Sequence, residues 1–182
     1  LKDFEKRFEI KSRNPISTGW PCIDEICKGG HGIGELGVVI APTGAGKSFL
    51  GCALAHMACR QGYRALYYYV PKLFRELHIA QVDGSLSRLL KKLAKVDLLV
   101  VDDWGLTPLK ADQHRLFLEI LDDRQGAGAT LITSQYPVAT WHELMDDPTV
   151  GDAILDRLVH NAHKIELKGE SMRKKSTQKR GK

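Results

Sequence analysis

The chain has 182 residues, 43% of them hydrophobic and 27% charged, which fits one ordinary globular domain with a sizeable core and leaves no room for a second. No apolar run reaches the ~18–20 residues of a membrane span, and the opening LKDFEKRFEI lacks the apolar centre of a signal peptide, so membrane and secreted readings are excluded and a cytoplasmic protein is expected. The net charge of +5 comes from the last ten residues, RKKSTQKRGK, which hold six bases and no acid; the rest sums to −1.

Such a tail, residues 173–182, either holds phosphate backbones without reading sequence or is a solvated end. A first residue of Leu rather than Met points to a piece of a longer chain. Residues 3–11 are charged and compatible with a helix, and NPISTGWPCIDEICKGGHGIG at 14–34 reads as a Gly-rich lead-in to the first strand. The expected division is therefore a lead-in over 1–34, the main domain over 35–172 and the tail. The cysteines, Cys22, Cys27, Cys52 and Cys59, form no CxxC pair. Cys22, Cys27 and His31 are too irregularly spaced for a convincing metal site. Cys52 and Cys59, seven apart in a helical stretch, have the spacing of two core-facing positions.

From residue 37 onward, apolar blocks alternate with helical patterns. Gly37–Ile40, Ala65–Val70, Leu98–Val101, Thr130–Thr133 and His163–Leu167 read as short strands. Helical patterns fall near 48–61, 72–80, 85–95, 111–124 and 152–160. Continuous apolar strands separated by helices imply a mainly parallel five-stranded sheet covered on both faces, a three-layer α/β fold with no separate C-terminal lid domain.

The strongest chemical signal is APTGAGKS at 41–48, directly after the first strand and opening a helix. It departs from the P-loop pattern G-x-x-x-x-G-K-[ST] only by Ala41 in the first position. Gly44 and Gly46 let the loop wrap so that the N–H groups of Thr43 to Phe49, through Ala45, point at phosphate oxygens, beside a helix N-terminus. Lys47 can reach the β- and γ-phosphates and the Ser48 hydroxyl can ligate Mg²⁺. Leu98–Val101 leads into Asp102 and Asp103, placing two carboxylates beside the phosphates. Asp102 suits Mg²⁺, and Asp103 stands where an ATPase usually carries the Glu that polarises water. Being one methylene shorter, Asp103 implies slow turnover or a repositioned base, unless it only starts the next turn.

Gln135, with Ser134 second, is placed after the fourth strand to sense the γ-phosphate. Arg157 suits either an arginine finger on a neighbouring subunit's ATP or a salt bridge to Asp156 or Asp152. In 85–95, Leu86, Leu89, Leu90 and Leu93 form one helix face, while Arg88, Lys91, Lys92 and Lys95 form the other. That basic row either tracks a DNA backbone or is a solvated face. Tyr67, Tyr68 and Tyr69 alternate faces of a strand and read as packing, as do Trp104 and Trp141.

The motifs PTGAGKS, ACRQGYRALY, DGSLSRLLKKLAKVDLLVVDDWGLTPL, ATLITSQYPVATWHE and AILDRLVHNAHKIELKGESMR together resemble the IstB-type, DnaC-related AAA+ ATPases over about residues 41–173. The resemblance implies an ATP- and Mg²⁺-dependent homo-oligomer on duplex DNA that directs a transposase, with ATP hydrolysis stimulated by DNA or assembly. It assigns Lys47 and Ser48 to Walker A, Asp102 and Asp103 to Walker B, Gln135 to sensor 1, Arg157 to the trans-acting finger and the basic helix to DNA. Residues 14–48 instead resemble the start of a DnaB- or RecA-like helicase core. The competing functions are a helicase loader whose partner is a replicative helicase, a helicase fragment and, less well supported, a P-loop metabolic kinase.

Overall fold

The computed structural model describes residues 15, 17, 18, 21–26, 32, 34–145, 148–159 and 162–169. The expectations for residues 3–11, Cys27, His31 and the 173–182 tail fall outside them. The elements in order are α1 (Pro21–Ile26), β1 (Leu36–Ile40), α2 (Lys47–Arg60), β2 (Ala65–Tyr69), α3 (Val70–Val82), α4 (Leu86–Lys95), β3 (Leu98–Trp104), α5 (Ala111–Arg124), β4 (Ala129–Ser134), a 3₁₀ segment (Val138–Leu144), α6 (Pro148–Val159) and β5 (Ala162–Glu166).

The strands form one sheet in the order β2-β3-β4-β1-β5. All four pairings are parallel. Alternate residues of each strand feed two cores, as the period of two requires. Val38, Leu99, Val101 and Ile132 pack under α3, α4, α5 and α6. Val39, Leu98, Val100, Leu131 and Ile165 pack under α1 and α2. This is the expected three-layer sandwich, wholly parallel among the described strands.

On α2 the buried positions are Lys47, Leu50, Gly51, Leu54 and Ala58, the last four a 3.6-residue apolar stripe aimed at the sheet. Gly51 permits a close approach, since a Cβ there would sit 3.2 Å from a Val100 methyl. Cys52 and Cys59 are exposed, against the expectation that they face the core. Seven residues apart, they do share a face. That face lies about 200° from the Leu50 stripe at ~100° per residue, so it points to solvent.

The described part of the lead-in is packed onto the domain. Ile23 of α1 is buried in the α2-side core. Asp24 accepts bonds from the Ser17 hydroxyl at 2.7 Å and from the Thr18 hydroxyl and N–H at 2.7 Å each. The Gln61 amide, just past α2, donates to the Ser17 carbonyl at 2.8 Å.

The helix boundaries move by a few residues from the sequence reading. Val70 begins α3 instead of ending β2, and α6 starts at Pro148. Pro suits a first helical turn because its missing N–H would have no intrahelical partner there. Two helices, α3 and α4, do separate β2 from β3. On α4, Leu90 and Leu93 are buried and Leu86 and Leu89 half-buried, while Arg88, Lys91, Lys92 and Lys95 are all exposed.

Beneath α4 lies a buried cation. Arg124, at the end of α5, donates to the carbonyls of Leu93 at 2.6 Å and Val96 at 3.0 Å, to the Thr130 hydroxyl at 2.9 Å, and to the Ala129 carbonyl. Burial lowers its pKa to about 10 against the pull of Asp97, so it remains a cation at neutral pH. The end of α4 is thereby tied to α5 and to the start of β4.

Candidate nucleotide-binding site

The P-loop joins β1 to α2. Gly44 and Gly46 take φ of 86° and 99°, the left-handed region that Gly occupies without a Cβ penalty. Ala41, where the pattern has Gly, is buried, and its N–H donates to the Ser134 carbonyl at 3.0 Å, extending the β1–β4 ladder. A small Cβ is accommodated there without reshaping the loop. The first intrahelical bond of α2 runs from Leu50 N–H to the Gly46 carbonyl at 2.8 Å. The N–H groups of Lys47, Ser48 and Phe49 therefore lie in the first turn, where a helix offers donors to an anion. Phe49 itself is 76% exposed.

β3 runs farther than its apolar block suggests and carries both acids within it. Asp102 is 3% exposed. Tyr67 of β2 donates to its Oδ2 at 2.5 Å, and Thr133 of β4 donates to its Oδ1. Burial and this bond push the Tyr67 phenol pKa up, so it stays a donor. Asp103 has φ 64°, and the β3–β4 register slips between Val101 and Trp104. A non-glycine residue in that region costs on the order of 1–2 kcal/mol.

Two contacts hold Asp103 there. Its N–H donates to the Thr133 hydroxyl at 3.2 Å, and its carboxylate meets the Lys47 ammonium at 2.5 Å. Lys47 is 6% exposed, so this pair is largely shielded from water. Gln135, one residue past β4, accepts a bond from the Thr43 hydroxyl at 2.7 Å. Ser134 is turned away from the loop; its hydroxyl donates to the Trp104 carbonyl at 2.9 Å.

Two bonded groups thus lie at the carboxyl ends of β1, β3 and β4: Lys47, Asp103, Thr133 and Asp102 in one, Thr43 and Gln135 in the other. Ser48 follows Lys47 in the first turn of α2. The basic row on α4 lies apart, on the outer face of that helix. Arg157 of α6 engages Asp122 of α5, with Nε 2.7 Å from Oδ1, and Asp156 at 3.8 Å. Asp152, the other acid considered, pairs with His142 at 3.3 Å.

Sequence reasoning missed Tyr67 and Thr133. Tyr68, the middle tyrosine, is buried and donates to Glu76 at 2.9 Å, as a packing residue does. Tyr67 is half-exposed and reaches the acid instead. The available signal was strand alternation, which puts Tyr67 and Tyr68 on opposite faces. Trp104 and Trp141 are buried packing residues, Trp104 stacking on Phe117 with ring centroids 4.3 Å apart.

The chemistry of the donor set fits a nucleotide with Mg²⁺. The loop offers N–H groups and an ammonium. Asp102 offers a carboxylate with about four lone-pair positions, only two of them taken by hydroxyls. Among the described residues no group of three or more His, Cys, Asp or Glu is arranged to hold a metal by protein ligands alone. No helix among them is long and apolar enough to cross a membrane.

A P-loop between β1 and α2, an acid-bearing β3 and a β4 inserted between their strands define a P-loop NTPase domain of the AAA+ type. The family model described as IstB-like ATP binding protein matches residues 35–180, and the chain belongs to that family. A putative insertion sequence ATP-binding protein, y4pL of Sinorhizobium fredii, is 52% identical over 141 residues, 78% of this chain and 58% of its own length. The chain therefore spans little more than half of that relative. Among solved structures, DnaI superimposes with a TM-score of 0.66 at 25% identity, over 74% of this chain and 73% of that one. The DnaC helicase loader gives a TM-score of 0.64 at 22% identity, over 75% and 80%.

Proposed function

We infer that this domain is a nucleotide-gated switch. It binds ATP, hydrolyses it slowly, assembles into oligomers on duplex DNA in the ATP state and, as an insertion-sequence helper, brings a transposase there. The observation that carries the reading is the Lys47–Asp103 pair at 2.5 Å, set beside an Asp102 already held by two hydroxyls. The phosphate-binding cation pairs with the acid that stands in the water-polarising position. A γ-phosphate competes for Lys47 and frees Asp103. The base thus becomes available only when its substrate is bound.

Ser48 and Asp102 are the residues that would hold Mg²⁺, which when bound supplies positive charge to the β- and γ-phosphate oxygens. Thr43 and Gln135 lie together at the loop, where exchange of their mutual bond for one to the γ-phosphate would distinguish ATP from ADP. Arg157 would act on a neighbouring subunit's nucleotide, in exchange for its bond to Asp122. Arg88, Lys91, Lys92 and Lys95 form a basic helix face, with Asp83 at its Arg88 end, suited to successive phosphates of a duplex. The likeness to the putative insertion sequence ATP-binding protein of Sinorhizobium fredii supports the insertion-sequence setting.

The test is particle mass by light scattering, with and without duplex DNA, in a non-hydrolysable ATP analogue and in ADP. A large DNA-bound assembly in the analogue that collapses in ADP is expected. A monomer in all four conditions refutes the switch. The likeness to DnaI and the DnaC helicase loader favours a second reading, a loader docking on a replicative helicase. Nucleotide-dependent binding to a helicase without DNA would select it.

A further inference from the structure

Asp102 is bonded from both sides within the sheet. β2 sends it the Tyr67 phenol and β4 sends it the Thr133 hydroxyl, one to each carboxylate oxygen. Strand pairing sets Asp102 opposite Tyr69, so the Tyr67 side chain spans two residues along the strand to make its 2.5 Å bond. Tyr67 is 37% exposed, so its ring is not kept for core volume alone. Thr133 in turn accepts the Asp103 N–H at 3.2 Å, so one hydroxyl touches both acids. Two donors on opposite oxygens stop the carboxylate from rotating about its terminal torsion, which is otherwise soft. They leave its remaining lone pairs for another cation or water.

Resting on the reading of Asp102 as the acid that holds Mg²⁺, we propose that Tyr67 and Thr133 are positioning residues that fix the Asp102 carboxylate and thereby set the Mg²⁺ affinity of the nucleotide complex. Neither hydroxyl needs to touch the nucleotide. Outer-shell partners of this kind typically change metal affinity by about 10–100-fold when removed.

The experiment is equilibrium binding of fluorescent methylanthraniloyl-ADP to the full chain, first in EDTA and then along a MgCl₂ titration. Tyr67→Phe keeps the ring and removes the hydroxyl. It should leave the EDTA affinity unchanged and raise the Mg²⁺ half-saturation by about tenfold or more. Thr133→Val should do the same, and Thr133→Ser, which keeps the hydroxyl, should titrate like the wild type. The two Thr133 variants carry the test even if Tyr67→Phe folds poorly, and thermal melts accompany each. Asp102→Asn should abolish the Mg²⁺ enhancement.

If Asp102→Asn abolishes it while Tyr67→Phe and Thr133→Val titrate normally, the positioning role is overturned and the role of Asp102 stands. If Asp102→Asn also retains the enhancement, the reading of Asp102 itself has failed. A loss of affinity that is equal in EDTA and in Mg²⁺ assigns the hydroxyls to the pocket or the fold, and overturns the proposal.

Discussion

Replacing Arg157 by Ala separates two roles whose sizes differ widely. Within one subunit its guanidinium pairs with Asp122 at 2.7 Å, the two side chains being 35% and 45% exposed. A pair so open to solvent contributes roughly 0.2–1 kcal/mol. For a domain of this size that is a Tm change of no more than about 4 °C. As an arginine finger the same group would contribute at least about 10³-fold to turnover, or ~4 kcal/mol of transition-state stabilisation. Arg157→Ala should therefore melt nearly like the wild type and bind the fluorescent nucleotide equally well. Its steady-state ATP hydrolysis on saturating duplex DNA should fall by orders of magnitude. A mixing assay adds the test in trans. Lys47→Ala subunits lack a working phosphate site but retain the finger, so adding them to Arg157→Ala subunits should restore part of the turnover. Normal turnover in Arg157→Ala, or a mixture no more active than its parts, would reduce Arg157 to a surface ion pair.

Reversing Lys91 and Lys92 to Glu should weaken duplex binding at every sequence. In a salt titration it should lower the slope of log affinity by about two, one for each phosphate no longer neutralised; an unchanged slope would make α4 a solvated face. Arg124→Met should leave the Leu93 and Val96 carbonyls without their Arg124 donor. At about 1–3 kcal/mol for each buried group this costs at least ~2 kcal/mol, a Tm loss of about 4 °C or more by calorimetry. Gly128→Ala should fail in the same region, because its Cβ would lie 2.6 Å from the Val96 carbonyl oxygen and 2.8 Å from Arg124 Nη2. The Asp97 carboxylate is held below its usual pKa by hydrogen bonds and charge from Arg64. A depressed folded pKa gives stability that is complete above the unfolded value of about 3.9 and disappears as pH falls below it. The Tm gap between wild type and Asp97→Asn should accordingly narrow in acid. A gap that widens there would reverse the assignment.

Local chemistry was legible where a residue type has few uses. A Gly-Ala-Gly-Lys-Ser run after an apolar strand admits little besides a phosphate loop, and the structure supplies its two left-handed glycines. The leucine and lysine rows of α4 were legible because a helix converts spacing directly into faces. Orientation was less secure. Cys52 and Cys59 share a face as their spacing requires, but which face meets the sheet is decided by the larger burial of Leu50 and Leu54. The partner of Arg157 was hidden for a different reason. Asp122 lies 35 residues away on another helix, so only the packing of α5 against α6 brings them together.

Strand order was less legible, and it organises the site. Spacing alone does not set which strand lies between β1 and β3; the choice of Gln135 placed β4 beside the P-loop strand, and the sheet order has it there. With β4 there, three successive residues make three different attachments. Thr133 holds Asp102 and Asp103, Ser134 receives the Ala41 N–H on its carbonyl and sends its hydroxyl to Trp104, and Gln135 accepts from Thr43. Loop and acids are therefore joined through one short segment, without needing to touch except at Lys47 and Asp103. Any change that draws Thr43 away from Gln135 would be felt at the strand end that also holds both carboxylates. Neither a motif nor a charge marks Thr133, because its bonds to the two acids come from the strand that lies beside its own.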